Sequence, residues 1–293
     1  MNQKSEKNKK KVRIIPIILI TIVIIIAAFT IDSNVRLVTT EYELYFSTLP
    51  DSFDGFRIVL LADLHDTEFG RGNEHLISRV RDAEPDIIVI AGDILNSYRF
   101  SRSFQKQLES IETLISNLAS IAPIYFVQGN HEGSFSNMEA GTLLQLLRNY
   151  GAHVLLNDYV VFENNTDQII IVGINWRSVA GVGRRESRLI ENIYDSYGDS
   201  FIITIAHSNS YLSFFSESDV DLILSGHGHG GLIRLPFTDG LIGHDFDWFP
   251  TYTSGVYSMD DTYMLVSRGL GSPPLIPRFL NNPHIAVAVL RGE

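Results

Sequence analysis

The stretch Phe56-Arg57-Ile58-Val59-Leu60-Leu61-Ala62-Asp63-Leu64-His65 decides the fold. Its first seven residues are almost continuously apolar, which is typical of a strand buried on both faces of a sheet. The strand runs directly into an aspartate and a histidine two residues apart. Ligand-binding residues of open α/β sheets lie beyond the carboxyl ends of strands, so this stretch predicts both an α/β fold and the position of a site.

The same arrangement recurs four times along the chain. Apolar strands are predicted at residues 86–91, 123–128, 201–206 and 222–224. The polar residues that follow these strands are Asp93, then Asn130, His131 and Glu132, then His207, and finally His227 and His229. Helical periodicity near residues 76–80, 101–120 and 143–147 separates the early strands, so the order is βαβαβα followed by strands.

The second half of the chain is richer in strands than in helices. Residues 153–156, 160–162 and 168–173 are predicted as strands of a second sheet, and residues 177–198 as a loop and a surface helix. Late strands at 263–267 and 285–290 bracket a proline-rich turn at 271–277. No stretch rich in Gly, Ser or Pro divides the chain, so residues 32–293 are predicted to form one domain.

The N-terminus has the composition of a membrane anchor. Residues 14–31 contain no charged side chain and are mostly isoleucine. At a rise of ~1.5 Å per residue, 18 such residues nearly span a hydrocarbon core of ~30 Å. The basic tail, residues 1–13, is predicted to stay in the cytoplasm, which places residues 32–293 outside. A cleaved signal peptide is the alternative, but the apolar run is longer than usual and no small-residue cleavage site follows it.

The charge and the absence of cysteine restrict the classes of function and the side chains that could bind a metal ion. Residues 1–13 contribute +5 to the net charge of −11, so the remainder of the chain carries −16. An acidic body of this kind argues against a nucleic-acid groove. Cysteine is absent, so any metal must be held by His, Asp, Glu or Asn. Such ligands suit Mn, Fe or Zn better than Ca.

The number of candidate ligands favours two metal ions. Seven side chains are too many for one ion of this kind and suit two ions about 3.5–4 Å apart that share a carboxylate. Each residue alone has a commoner structural use: an aspartate after a strand caps a helix, an asparagine forms a turn, and a histidine packs. Their joint order and strand context favour the metal site.

The motifs Asp63-x-His65, Gly92-Asp93, Gly129-Asn130-His131-Glu132, the lone His207 and Gly226-His227-x-His229 resemble those of the calcineurin-like metallophosphoesterases. The resemblance covers about residues 54–232. The flanking segments 53–59, 230–236 and 267–271 resemble a bacterial, often membrane-anchored branch of that family.

The resemblance implies a fold and roles for the residues. The fold is a four-layer α/β/β/α sandwich of two mixed sheets. Asp63, His65 and His229 would bind the first ion and Asn130, His207 and His227 the second, with Asp93 bridging them. A hydroxide between the ions would attack phosphorus, and His131 would donate a proton to the leaving oxygen.

Two positions depart from the family pattern. Asn96 occupies a position where many relatives have an aspartate that pairs with the donor histidine, and Glu132 is the alternative charge partner for His131. After His207, the chain continues with Ser208-Asn209-Ser210 where many relatives have a proline.

The sequence therefore predicts a membrane-anchored phosphoesterase with two metal ions, acting on a mono-, di- or pyrophosphate ester that is lipid-linked or derived from the envelope. The alternatives are a non-catalytic metal-binding or scaffolding protein and a domain that faces the cytoplasm. Trp176 and the aromatic run 246–252 are candidates for a substrate wall, the core or a membrane contact. Arg234 is a candidate phosphate contact or a structural residue.

Overall fold

Two six-stranded sheets form the centre of the molecule. The computed structural model describes residues 2–97, 101–176, 184–235, 239–243, 246–272 and 277–293, and the side chains of these residues except 2–14 and 184–185. The first sheet has the order β1-β12-β2-β3-β4-β5. Its strands are β1 (Val38–Phe46), β2 (Arg57–Leu61), β3 (Ile87–Ile90), β4 (Ile124–Phe126), β5 (His153–Val154) and β12 (His284–Gly292). Only the β12–β2 pair of this sheet is antiparallel among the described residues.

The second sheet has the order β10-β11-β9-β8-β7-β6. Its strands are β6 (Asp158–Asn164), β7 (Asp167–Ile174), β8 (Ile202–Ala206), β9 (Leu222–Ser225), β10 (Gly255–Met259) and β11 (Thr262–Val266). Antiparallel pairs lie at both edges, and the pairs between them are parallel. Both sheets are therefore mixed.

The described helices are α1 (Asn2–Val35), α2 (Glu74–Asp82), α3 (Phe104–Ala119), α4 (Asn130–Ser134), α5 (Asn137–Asn149), α6 (Arg184–Tyr197) and α7 (Leu212–Phe215). Helices α2, α3 and α5 pack on the outer face of the first sheet, and α6 and α7 on the outer face of the second. Short 3₁₀ turns lie at Asp51–Phe53 and Arg71–Asn73.

The alternation of apolar side chains along the strands builds four layers. In β2, Ile58 and Leu60 face the second sheet, while Val59 and Leu61 pack with α2, α3 and α5. In β8, Ile203 and Ile205 face the first sheet, and Ile202 packs with α6 and α7. Successive strand residues point to opposite faces, so each sheet buries both sides. The predicted α/β/β/α sandwich is confirmed.

Some details of the prediction were wrong. Residues 153–154 pair with β4 in the first sheet instead of joining the second sheet, because their register places them beside Tyr125 and Phe126. Strand β10 and the short helices α4 and α7 were not predicted. The predicted surface helix within 177–198 is present as α6, whereas residues 177–183 lie outside the described residues. So do residues 273–276 of the proline-rich turn.

Helix α1 contains the apolar segment seen in the sequence. Its span Ile15–Val35 is long and apolar enough to cross a membrane and is not buried inside the molecule. The span extends four residues beyond the predicted end at residue 31. Exposed apolar side chains along a helix of this length are what a bilayer would cover.

Candidate metal centre

Five strand ends meet at one place between the two sheets. Strands β2, β3 and β4 are parallel neighbours in the first sheet, and β8 and β9 are parallel neighbours in the second. The residues that follow these strands come together at this place: Asp63, His65, Asp93, Asn130, His131, His207, His227 and His229. Most of these side chains are buried, whereas Asn130 and His227 are half-buried and lie on the accessible side of the cluster.

The backbone is strained at five of these residues. Asp63, His65, Asp93, His227 and His229 have φ values of 52°, 48°, 55°, 68° and 49°. A left-handed conformation costs a residue other than glycine roughly 1–2 kcal/mol. Strained residues that gather at one point of a fold are characteristic of functional sites, where the surrounding structure holds side chains in a required orientation.

The first group consists of Asp63, His65 and His229, whose ligand atoms lie within 4.8 Å of one another. The Nε2 atoms of the two histidines are 3.2 Å apart, and their rings stack with centroids 4.9 Å apart. Burial lowers the pKa of His65 to about 3, so its ring is neutral near pH 7. The backbone N–H of His227 donates to both oxygens of Asp63, at 3.1 and 2.9 Å.

The second group centres on Nε2 of His207. Because Nδ1 of His207 lies 2.7 Å from the carbonyl oxygen of Ala91, it donates to that oxygen. Nε2 then faces Oδ1 of Asn130 at 3.0 Å, Oδ2 of Asp93 at 3.2 Å and Nδ1 of His227 at 3.1 Å. Two oxygen atoms and a second ring nitrogen therefore surround this nitrogen of His207.

Asp93 lies between the two groups. Its Oδ2 is 3.2 Å from Nε2 of His207 and 3.8 Å from Nε2 of His65, while its Oδ1 accepts from the backbone N–H of His131 at 2.8 Å. Burial raises the pKa of Asp93, but the neighbouring histidines, His207 above all, hold it below its usual value. For Asp63, burial has a larger effect than the neighbouring His207 and raises the pKa to about 7.

Two glycines allow the carboxylates to be enclosed. A Cβ at Gly129 would collide with the carboxylate of Asp93, and a Cβ at Gly269 would lie 2.7 Å from Cβ and Oδ2 of Asp63. Gly269 also has a φ of 72°, which favours glycine. The segment 267–271, which directly follows β11, therefore packs against Asp63 and encloses the site on that side.

Glu132 has a role that the sequence analysis missed. Its side chain is fully buried, and its carboxylate accepts from the backbone N–H groups of Asp93 at 2.8 Å, Gly129 at 2.9 Å and Leu95 at 3.1 Å. Burial and the charge of Asp93 raise its pKa to about 7. Glu132 thus ties the loop after β3 to the loop after β4.

His131 is oriented by Ser97. The backbone N–H of Ser97 donates to Nδ1 of His131 at 3.0 Å, and the hydroxyl oxygen of Ser97 lies 3.1 Å from the same nitrogen. The neutral ring therefore carries its proton on Nε2. The main chain of Asn96, which occupies the variant family position, is held by the side-chain amide of Gln107 at 2.7 and 3.0 Å.

Trp176 borders the second group. Its ring centroid lies 5.0 Å from that of His227 and 5.3 Å from that of His207.

The guanidinium of Arg234 donates to groups of the protein, Gly230 O at 3.0 Å and Ser254 Oγ at 3.0 Å.

The remaining histidines lie elsewhere. His75 is exposed, His153 stacks on Tyr125 and His284 is buried in β12. His244 lies outside the described residues.

A four-layer sandwich with a cluster of histidines and carboxylates between the ends of its parallel strands defines a metal-dependent phosphoester hydrolase. The sequence profile of the calcineurin-like phosphoesterases matches residues 56–231, which is more than half of the chain. The chain belongs to the calcineurin-like phosphoesterase family, and the resemblance seen in the motifs is confirmed.

Several relatives share most of this length. The uncharacterized metallophosphoesterase YkuE of Bacillus subtilis is 28% identical over 263 residues, covering 87% of this chain and 85% of that protein. Phosphodiesterase YaeI of Escherichia coli is 26% identical and covers 76% of this chain and 77% of that protein. A transmembrane protein with metallophosphoesterase domain from Danio rerio is 26% identical over 86% of this chain, which spans only 56% of that relative.

Proposed function

We propose that this chain is a membrane-anchored phosphoesterase with two metal ions, which hydrolyses a phosphate ester outside the cytoplasm. The observation that carries the proposal is the convergence of seven ligand-type side chains from five strand ends on one buried cluster. Two neighbouring groups with Asp93 between them have the organisation expected of a two-metal hydrolase.

The residues present fit metal ions on chemical grounds. Nε2 of His207 faces an amide oxygen, a carboxylate oxygen and a ring nitrogen, all within 3.2 Å. Lone pairs that face one another at this distance repel unless a proton or a cation lies between them. Imidazole and carboxylate ligands with no thiolate suit Mn, Fe or Zn.

The geometry supports a division of the ligands between two ions. Asp63, His65 and His229 would hold one ion, and Asn130, His207 and His227 the other. Asp93 would be shared, since Oδ2 approaches a histidine of each group at 3.2 and 3.8 Å. Bound ions supply an activated water and neutralise the charge on the phosphate oxygens.

The protein's own residues complete the site. His131 would serve as the donor to the leaving-group oxygen from Nε2, because Ser97 occupies Nδ1. The half-buried Asn130 and His227 leave the substrate side open, and Trp176 would form a wall beside them.

The family and the apolar helix α1 together support a proposal for the substrate class. We propose a phosphate ester that is lipid-linked or derived from the envelope. The name of YaeI as a phosphodiesterase and that of the Danio rerio relative as a transmembrane protein support testing diesters and membrane-borne esters. Residues 1–13 would be cytoplasmic, residues 14–31 would form the anchor, and residues 32–293 would form the catalytic domain outside.

Hydrolysis by the full-length protein in detergent tests the activity. With added Mn²⁺, we expect hydrolysis of aryl phosphate mono- or diesters by the wild type and by His75→Ala, whose altered side chain is exposed. Asp93→Ala should be inactive. Equal rates in wild type and Asp93→Ala would contradict the proposal. Protease accessibility in intact cells tests the orientation, because an extracytoplasmic domain is cleaved while the basic tail is protected.

A further inference from the structure

Three large aromatic side chains are exposed in one loop near the end of the chain. Phe246, Trp248 and Phe249 have exposed fractions of 64%, 67% and 67%. We call residues 246–249 the aromatic loop. Aromatic clusters of this size on a surface mark a contact with a partner or a membrane.

The backbone holds these side chains outward. Phe246 and Phe249 have φ values of 62° and 54°, a conformation that is uncommon for bulky residues. Main-chain hydrogen bonds fix the loop: Phe246 N donates to Gly243 O at 3.1 Å and Phe249 N to Leu241 O at 3.1 Å. Strain maintained by hydrogen bonds at exposed aromatic residues points to a functional surface.

A continuous set of contacts connects the aromatic loop to the apolar anchor. Trp248 forms a β-bridge with Ile242, Ile242 with Ile233, and Ile233 with Phe279. The ring of Phe279 packs edge-on against Phe29 of α1, with centroids 6.4 Å apart. Phe29 lies six residues before the end of the apolar span Ile15–Val35, so these contacts connect the aromatic loop to the C-terminal part of the segment that would be in the bilayer.

Hydrogen bonds fix the position of the anchor's end. The side chain of Asn34 donates to Arg278 O at 2.9 Å and accepts from Arg278 N at 3.2 Å, while Asn282 donates to Asp32 O at 2.8 Å. The same segment reaches the metal centre, because Asn281 donates to His229 O at 2.7 Å. These contacts fix the positions of the anchor, the aromatic loop and the metal centre relative to one another.

We infer that the aromatic loop docks into the interface of the leaflet from which α1 emerges and holds the metal centre at the bilayer surface. The occupant is the lipid interface, where Trp and other aromatic side chains are favoured. Asp247 lies in the loop and the body of the chain is acidic, so docking depends on apolar contact and not on anionic lipid. If the proposed function holds, the substrate is a phosphate ester carried by a lipid.

The two tryptophans of the chain allow a direct test. The full-length protein is placed in phosphatidylcholine nanodiscs with or without acyl chains brominated near the headgroup. Trp176→Phe leaves Trp248 as the emitter, and Trp248→Phe leaves Trp176 in the metal centre. We expect brominated lipid to remove roughly half or more of the Trp248 emission, because the ring lies at the interface. Trp176 emission should stay nearly unchanged.

Unquenched Trp248 emission would overturn the inference. Trp248 would be unquenched if the loop faced water, and also if a second copy of the chain covered it. Light scattering would distinguish these two cases, because the second requires a dimer. This measurement needs no catalysis, so failure of the proposed function leaves it intact.

A second arm tests the substrate class. We compare wild type with the triple variant Phe246→Ser, Trp248→Ser and Phe249→Ser in the same nanodiscs. Hydrolysis of a soluble aryl phosphate should be equal, whereas hydrolysis of phosphatidic acid or a phosphodiester lipid should fall roughly tenfold or more, because the site loses its position at the interface. Equal hydrolysis of the lipid ester by both proteins would refute the role of the aromatic loop in positioning the site. Hydrolysis of the aryl phosphate but not of the lipid ester by the wild type would refute the lipid-borne substrate. Absence of hydrolysis of either ester by the wild type would refute the proposed function instead.

Discussion

Nε2 of His207 lies 3.2 Å from Oδ2 of Asp93, and this contact joins the two sheets of the molecule. His207 follows β8 in the second sheet, and Asp93 follows β3 in the first. Both side chains are buried. An ion pair or a shared cation is therefore required at this point, because unpaired buried charges are strongly destabilising.

Replacing either partner should remove metal and activity together. Asp93→Asn and His207→Ala each take away a ligand atom, and His207→Ala also removes the hydrogen bond to Ala91 O. We expect the rate of ester hydrolysis to fall roughly a thousandfold, since metal ions supply several kcal/mol of transition-state stabilisation. Elemental analysis should show less metal per chain in both variants than in His75→Ala. Full metal content with a lost rate would contradict the ligand assignment.

The metal-free protein should lose stability as the pH rises. Burial lowers the pKa of His207, but the carboxylates of Asp93 and Asp63 raise it from the ordinary 6.5 to about 9. The folded state then keeps a proton that the unfolded chain releases, so this contribution is complete below about pH 6.5 and is lost as the pH passes 9. Burial raises the pKa of Asp63 to about 7, so the folded state also keeps this proton longer than the unfolded chain does. Its contribution to stability therefore decreases as the pH rises towards 7.

Thermal unfolding in detergent with a chelator measures this effect. The melting temperature of the metal-free wild type should decrease between pH 6.5 and 9. The metal-free His207→Asn variant should show a smaller decrease. A melting temperature that rises across this range would show that the pair is not protonated in the absence of metal.

His131 should affect the rate and not the metal content. His131→Ala is expected to lower kcat roughly 10²–10⁴-fold, the usual contribution of a positioned proton donor. Metal content should match that of wild type, although His131 also lies within 4.8 Å of His65 and Asp93. Parallel loss of metal would identify His131 as a ligand instead. A substitution of Ser97 would not remove its backbone N–H, which donates to Nδ1 of His131. This contact is therefore tested by the NMR chemical shifts of the ring nitrogens of His131.

Glu132 should stabilise the fold through its three main-chain contacts. In Glu132→Gln, an amide NH₂ replaces one oxygen and must face a backbone N–H of Asp93, Gly129 or Leu95. A buried donor left without an acceptor costs about 1–3 kcal/mol. Urea unfolding should show this loss, whereas Glu139→Gln, whose hydrogen bonds to Ser136 are solvent-exposed, should change little. Equal unfolding free energies for the two variants would argue against the role of Glu132.

Local sequence patterns predicted the strands and the residues that meet at their ends. Each apolar strand followed at once by Asp, Asn or His is a short-range signal, and parallel neighbours bring such ends together. The pairing of β5 with β4 was not predictable in this way, because a two-residue strand is defined by its partner and not by its own composition.

The supporting residues of the site depend on contacts distant in sequence. Glu132 was visible as part of a motif, but its bonds to the main chain of Asp93 and Leu95 join two different loops. Arg278 is fully buried and donates to Gly271 O at 3.1 Å, although an arginine near the C-terminus predicts a solvated side chain. No local periodicity reports such a contact.

The central claim is that two cations lie on either side of the Asp93 carboxylate, and anomalous X-ray scattering tests it most directly. Crystals of the protein grown with Mn²⁺ should give two anomalous peaks about 3.5–4 Å apart. One peak should lie beside His65 and His229 and the other beside His207 and His227. The account is contradicted by a single peak away from Asp93, or by no peak at this cluster in a protein that still hydrolyses phosphate esters.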